Sequence, residues 1–320
     1  LIASSPPFFP HISGYLLAKR WRIPLVLEVR DLWPDYLHDM GFMKRGSPAG
    51  RFLFALERYL LVRAAHVVVV TESFKTRIAS KGVPENRISV IPNGVDHGFY
   101  YSEECQSAPV ERRDRSSLVV GYLGNFGAGQ GLTTVLEAAG ILGSSNTGIR
   151  FVLVGDGPQR AALEERASEL KLLNLTIEPP IPKEKTRQFY NSCDVCLVPL
   201  APVPVFQETV PSKIFEIMAC ERPVVGCFDG EARRIVEESG AGIVVPPGDS
   251  QALAEALLTI SNHTGQQMRA MGARGRRYVQ ARYDRAVLAQ RYFALLCGLR
   301  KAGADVRSAP EIEEDALSPR

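Results

Sequence analysis

The chain has 320 residues, and its 38 Lys and Arg against 35 Asp and Glu give a net charge of +3, too close to balance to imply a nucleic-acid partner. Hydrophobic residues make up 45% and charged ones 23%, enough for a substantial core and consistent with one large or two ordinary domains. No apolar run reaches the ~18 residues of a membrane-spanning helix, and the opening "LIASSPPFFP" has neither a basic leader region nor a starting Met.

That opening reads as the end of a strand running into a loop, so the chain is expected to begin inside a domain. Strand-like and helical patterns then alternate: "PLVLEVRD" strand, "SPAGRFLFALERYLLVRAA" long helix, "HVVVVT" strand, "ESFKTRIASKG" helix, "ISVIPNG" strand. A break falls in "YSEECQSAPVERRDRSS", residues 101–117, which is polar, charged and aperiodic. The alternation restarts with "LVVGYLG" strand, "GLTTVLEAAGILG" helix, "RFVLVGDG" strand and "PQRAALEERASELKL" helix. "NLTIEP", "DVCLVPL", "RPVVGC" and "AGIVVPP" read as further strands, separated by the helices "KEKTRQFYNSC", "PSKIFEIMAC" and "EARRIVEESG". Apolar, β-branched strands between helices predict parallel sheets covered on both faces. The expected organisation is α/β: a partial Rossmann-like domain over 1–105, a linker over 106–117, and a second Rossmann-like domain over 118–280. A C-terminal helix over 281–300 and a disordered tail over 301–320 follow.

Six cysteines are scattered, and only Cys193 and Cys196 form a CxxC, within the apolar run "NSCDVCLVPL". With no second CxxC and no nearby His, they read as a buried reduced pair in a strand, which fits the cytoplasm, rather than as a redox or zinc site.

In parallel α/β sheets ligands bind outside the carboxyl ends of strands. There, "GYLGNFGAGQGL" crowds Gly121, Gly124, Gly127, Gly129 and Gly131 at the entrance to a helix. Such a loop lets backbone N–H groups approach a phosphate, but the same pattern also serves close packing. "VGDGP" reads either as a helix-capping turn with Pro158 at the first helical position or as a ligand contact. In "ETVPSKIFE", Pro211 suits the first turn of a helix. Glu208 then lies in the preceding loop and Glu216 one to two turns inside, a separation of ~12 Å along a continuous helix. Lys213 falls in the first turn, where a positive charge is unfavourable unless an anion offsets it. The stretch reads as an anion-facing helix start flanked by two carboxylates, with a solvated amphipathic helix as the alternative. "EVRDLWPD" puts Arg30 and Asp31 at the carboxyl end of a strand, either facing a cleft or as a salt-bridged loop.

"VIPNGVD", "VGDGP", "CDVCLVPL" and "ETVPSKIFEIMACERPVV", in this order and spacing, resemble a GT-B glycosyltransferase of family 4. "LEVRDLWPD" with "GAGQGL" resembles more closely the subgroup that builds bacterial surface polysaccharides, such as colanic-acid and O-antigen transferases similar to the L-fucosamine transferase. The resemblance implies two Rossmann-like domains facing a cleft, a nucleotide-sugar donor, a retaining reaction, and no cofactor or metal. It implies that Glu216 binds the donor ribose and that Glu208 lies by the transferred sugar. The N–H groups of Ser212 and Lys213, with Gly124, Asn125, Gln130 and Gly131, would cradle the diphosphate. Asp31 falls near the family's His-Asp position, with Arg30 in place of the His, and would orient the acceptor hydroxyl. The family often places an Arg and a Lys where this sequence has Asn125 and Gln130, so two positive charges are missing there, and backbone dipoles and Lys213 are expected to compensate. The family's first domain also begins with further βα units; at ~30 residues per βαβ unit, on the order of 80–100 residues would precede Leu1.

The resemblance further implies a lipid-linked or other glycan acceptor at the inner face of the cytoplasmic membrane. "MKRGSPAGRFLFALERYLLVR" mixes five basic residues with Phe52, Leu53, Phe54 and Leu60 and reads as a sheet-packed helix with a solvated basic face, touching a bilayer through its ends. Two other readings stay open: a GT-B sugar-nucleotide epimerase, although the five histidines form no evident cluster, and a catalytically silent nucleotide-sugar-binding fragment.

Overall fold

The computed structural model describes residues 1–100, 117–145 and 147–308, with side chains to 299. Most of the expected linker, Cys105 and the tail beyond 308 lie outside the described residues. In chain order the elements are β1 (Ile2–Ser5), α1 (Phe9–Trp21), β2 (Val26–Val29), α2 (Asp35–Asp39), α3 (Pro48–Arg63), β3 (His66–Val69), α4 (Glu72–Ser80), β4 (Ile88–Val90) and α5 (His97–Tyr100). There follow β5 (Leu118–Asn125), α6 (Leu132–Ser144), β6 (Ile149–Asp156), α7 (Arg160–Glu169), β7 (Leu175–Glu178), α8 (Thr186–Ser192), β8 (Val195–Pro199) and α9 (Lys213–Ala219). The last are β9 (Val224–Cys227), α10 (Gly230–Ser239), β10 (Gly242–Val245), α11 (Ser250–Ser261), α12 (Gly265–Arg282) and α13 (Arg285–Ser308).

The chain divides into two compact units. The first comprises Leu1–Pro34, Arg51–Ile91 and the described residues from Val287. Its sheet has the order β1-β2-β3-β4, all parallel. Val67, Val68 and Val69 of β3 are wholly buried, as a central parallel strand requires. α3 sinks Leu60 and Leu61 into this core and leaves Phe52 exposed. Its Glu57 is also buried, and the Lys81 ammonium donates to both of its carboxylate oxygens, at 2.6 and 2.8 Å. α13 is tied to the unit by Arg291, whose guanidinium donates to the Val90 carbonyl.

The second unit comprises Asp35–Gly50 and the described residues of Pro92–Ala286. The partition departs from the expected 1–105 boundary: 35–50 and 92–100 pack in the second unit, and α13 runs to Ser308 rather than ending at 300. One reason is local: the Tyr36 ring packs edge-on against Phe206, which fixes α2 to the second unit. The six-stranded sheet has the order β10-β9-β8-β5-β6-β7, all parallel. This is the doubly wound order, with its switch point between β5 and β8. The core on either side of the sheet gathers Tyr122, Phe126, Leu153 and Leu197 in one cluster and Ile214, Phe215, Met218 and Val224 in another.

α1 and α11, like the short α2 and α5, have no counterpart in the sequence reading. α1 carries a Pro in its first turn and ends at Arg22, which adopts a left-handed conformation (φ 52°). α11 is capped by Asp249, whose carboxylate accepts from the Ala252 N–H at 2.8 Å. Cys193 caps the end of α8 rather than lying in a strand, with Cys196 in β8; both are buried free thiols.

Candidate donor site at the switch point of the second unit

The loops that follow β5 and β8 meet at the switch point, where the Ala201 N–H donates to the Gly129 carbonyl at 3.0 Å. Gly131 caps α6 at φ 59°, and a Cβ there would stand 2.7 Å from the Leu200 carbonyl oxygen. Only glycine satisfies both the left-handed backbone and that approach. The loop after β6 closes the other side, with the Phe126 N–H donating to the Asp156 carbonyl and the Gln159 N–H to the Phe126 carbonyl. Pro158 therefore belongs to this turn and not to α7, whose N-terminal cap is Gln159.

After β8 the chain makes a short 3-10 turn, Pro204–Gln207, and reaches Glu208, which is half-buried with its N–H donating to the Val205 carbonyl. Pro211 lies one residue before the N-terminal cap, Ser212, so α9 begins at Lys213 and Glu216 falls in its first turn, closer to the helix start than the sequence suggests. As at any helix start, the first N–H groups have no partner inside the helix. α9 is held by burial of Ile214, Phe215, Ile217, Met218 and Ala219. Lys213 and Glu216, three residues apart, share its remaining face.

Each of the two is gripped by side chains from other elements. The Lys213 ammonium donates to Gln130 Oε1 at 3.2 Å and lies 4.2 Å from the centroid of the Tyr122 ring. The single hydroxyl hydrogen of Tyr122 in turn is shared between two acceptors, the Asn125 carbonyl at 2.8 Å and Gln130 Oε1 at 3.1 Å. Burial pulls the Lys213 pKa down to about 8, with the field of Glu216 opposing. The Glu216 carboxylate accepts from the Tyr190 hydroxyl at 3.2 Å and also hydrogen-bonds the Tyr100 phenol. Burial, reinforced by Glu216, pushes both phenols well above the usual tyrosine range, so they are donors at neutral pH.

The structure therefore brings Gly124, Asn125, Gln130, Gly131 and Lys213 to one place, with Ser212 and Glu216 on the same short helix start. Glu208 lies four residues ahead of Ser212 in the chain. Asp31 belongs to the first unit, just beyond β2, where burial raises its carboxyl above the usual aspartate range against the pull of Arg30. Sequence reasoning missed the three tyrosines. Tyr122 carried a signal, since a phenol inside an otherwise apolar strand needs a buried partner; Tyr100 and Tyr190 carried none. Among the described residues no group of three or more His, Cys, Asp and Glu could hold a metal ion, and no helix is long and apolar enough to cross a membrane.

The chain has relatives in sequence and in fold. Residues 117–263 match the family described as glycosyl transferases group 1, and residues 2–94 match the glycosyl transferase 4-like domain. The chain is 28% identical to the probable glycosyltransferase WbjE of Pseudomonas aeruginosa over 78% of its own length and 61% of that protein's. It is 24% identical to the putative colanic acid biosynthesis glycosyltransferase WcaL of Escherichia coli, over 75% of this chain and 58% of that one. The chain thus spans about six-tenths of the length of these curated relatives. Its fold matches that of Anabaena Alr3699/HepE, solved in complex with UDP and glucose, with a TM-score of 0.73 at 20% identity, over 92% of this chain and 77% of that one. With two parallel-sheet units, a doubly wound second sheet and matches to both family models, the chain belongs to the group 1, family 4 glycosyltransferases of GT-B fold.

Proposed function

We propose that the protein is a retaining glycosyltransferase that moves a sugar from a nucleotide-sugar donor to a lipid-linked glycan acceptor, in the assembly of a cell-surface polysaccharide at the inner face of the cytoplasmic membrane. The observation that carries this reading is the pair on the first turn of α9, an enclosed ammonium and a tyrosine-held carboxylate, set beside the switch point of a doubly wound sheet. The family membership, the polysaccharide role in the WcaL name and the UDP and glucose bound by HepE support it.

In this reading Glu216 accepts hydrogen bonds from the donor ribose, while the tyrosines fix its orientation. The N–H groups of Ser212 and Lys213 and the loop from Gly124 to Gly131 receive the diphosphate. The leaving group is an anion, so its departure needs fixed positive dipoles rather than a strong acid. As the bond from the anomeric carbon to the diphosphate oxygen breaks, positive charge grows on the sugar, and Glu208 stabilises it. The acceptor oxygen bonds to the same face and passes its proton to a phosphate oxygen, which retains the configuration. Asp31 orients the acceptor hydroxyl. No metal takes part.

The test is calorimetric titration with UDP, GDP and dTDP, followed by transfer assays. Saturable binding of one nucleotide, lost in Glu216→Ala, is expected. Glu208→Ala should keep that binding and lose turnover. Equal loss of nucleotide binding in both variants would refute the separate roles.

A further inference from the structure

The second unit carries a further concavity, on the β10 side of the switch point. It encloses about 300 Å³ between segments that directly follow β8, β9 and β10, the end of a parallel sheet where ligands bind. That volume is at the small end of the ~300–1,000 Å³ range of small-molecule sites, with room for one ring and not for a chain. Its walls are Pro202, Pro204, Pro246 and Pro247 with the rings of Phe206 and Phe228. These walls are fixed from behind. Gly230 has φ 70°, and a Cβ there would run into the Gln207 carbonyl, so only glycine lets the 204–207 turn pack on the start of α10. The Leu200 N–H donates to the Cys227 carbonyl and the Ala201 N–H to the Gly129 carbonyl, each at 3.0 Å. Proline walls have little freedom to collapse inward, so the space keeps its shape before anything binds, which lowers the cost of binding.

The polar groups of the cavity define its ligand. Of the residues that line it, Asp229 alone is charged, and an acid disfavours phosphates and carboxylates. Arg233 Nε already donates to one oxygen of that carboxylate at 3.0 Å, so a cationic ligand gains little. The exposed Gln207 amide offers both a donor and an acceptor. A neutral molecule with hydroxyls at the rim and C–H faces against rings and prolines meets all these conditions, and a pyranose is such a molecule. We infer that the cavity is a carbohydrate subsite that holds one neutral pyranose unit of the acceptor glycan. Its assignment to the acceptor rests on the proposed function, whereas the carbohydrate site rests on the cavity alone. The Phe206 ring lines the cavity and also packs on Gly129, where a Cβ would approach it to 2.6 Å, so one turn borders both the glycine loop and the cavity. In the proposed function α9, the glycine loop and Glu208 take the nucleotide and the transferred sugar, which leaves the cavity to the other substrate.

The experiment is saturation-transfer NMR on the whole chain with glucose, galactose, N-acetylglucosamine and glucuronate as probes. At least one neutral sugar should be saturated, and glucuronate should not. Val203→Phe adds a ring at a lining position and should abolish the signal; Gln207→Ala should raise the Kd about fivefold. Both variants should bind UDP, GDP or dTDP as the wild type does, and the sugar signal should survive Glu208→Ala and an excess of nucleotide. A signal lost in Glu208→Ala, or displaced by nucleotide, places the sugar in the donor site and overturns the inference. Sugar binding that neither cavity variant changes overturns it too, as does glucuronate binding as tightly as the neutral sugars, or saturation of no sugar at all. If Val203→Phe does not fold, Gln207→Ala decides. Nucleotide binding without sugar binding leaves the donor site standing and removes this one. Sugar binding without nucleotide binding removes the donor-site reading and the acceptor assignment with it, and leaves the carbohydrate site standing.

Discussion

If Lys213 is kept for an anion, removing it should stabilise the protein. A pKa of about 8 against the usual 10.5 means that the charged form is penalised by about 3 kcal/mol in the folded state. The residue keeps part of its surface in water, which discounts the figure to about 2 kcal/mol. Lys213→Met retains the aliphatic stem and gives up one hydrogen bond, worth ~1 kcal/mol, while Gln130 keeps its bond from Tyr122. The variant should therefore be more stable by about 1 kcal/mol at pH 7, a rise in Tm of about 2–4 °C for a unit of this size. The pH dependence fixes the cause. The folded pKa lies below the unfolded one, so between about 8 and 10.5 the unfolded chain binds more protons and wild-type stability rises with pH. The advantage of the variant should shrink through that window and be nearly gone at pH 10. Thermal and urea denaturation at pH 7 and pH 10 provide the assay. A variant less stable than wild type at pH 7, or a gap that does not change with pH, would refute the reasoning.

Three further outcomes follow from contacts already described. Tyr190→Phe removes one hydrogen bond from the Glu216 carboxylate; nucleotide affinity by calorimetry should drop about fivefold, corresponding to ~1 kcal/mol, with the melting profile little changed. Gly131→Ala forces a side chain into a left-handed residue against the Leu200 carbonyl and should cost about 1–3 kcal/mol in urea denaturation, whereas Gly140→Ala, inside α6 with its Cβ only in ordinary contact with Leu172, should be neutral or slightly stabilising. Glu57→Gln leaves the Lys81 ammonium without its carboxylate and should cost about 3 kcal/mol; adding Lys81→Met should recover part of that, which denaturation of the single and double variants will show.

The alternation of strands and helices was legible because parallel strands buried on both faces are short β-branched runs, as "HVVVV" is, and because glycine and proline punctuate the turns between them. α1 was not legible: its Leu16, Leu17 and Trp21 are all exposed, so apolar residues do not trace a buried stripe at helical spacing. The start of α9 was placed two residues too early because proline is acceptable both inside a first turn and just before the cap, and only the backbone tells the two apart. The carboxylates and the glycine loop could be picked out from spacing. Tyr100 and Tyr190 could not, since they reach Glu216 from α5 and α8, and only the folded chain brings those helices to α9.

What gives α9 its capacity is its poverty of polar positions. Five of its seven residues are buried apolar side chains, and Phe215 stacks on Tyr283 with ring centroids 4.2 Å apart. A helix this short has little stability of its own, so it is held in place by packing rather than by its backbone bonds. Packing of that kind fixes position closely, because a dense interior yields little to small displacements. The two polar residues it carries are therefore presented from a rigid support, and each is oriented by partners on separate elements: Gln130 and Tyr122 at the β5 end, Tyr190 and Tyr100 from α8 and α5. The carboxylate is satisfied on one side by phenols that remain protonated, and the ammonium is left with donor capacity that only an anion or water can use. Two groups of opposite charge, three residues apart on one turn, are thus oriented by different partners, and under the proposed function each would meet its own part of a ligand that carries both hydroxyls and phosphates.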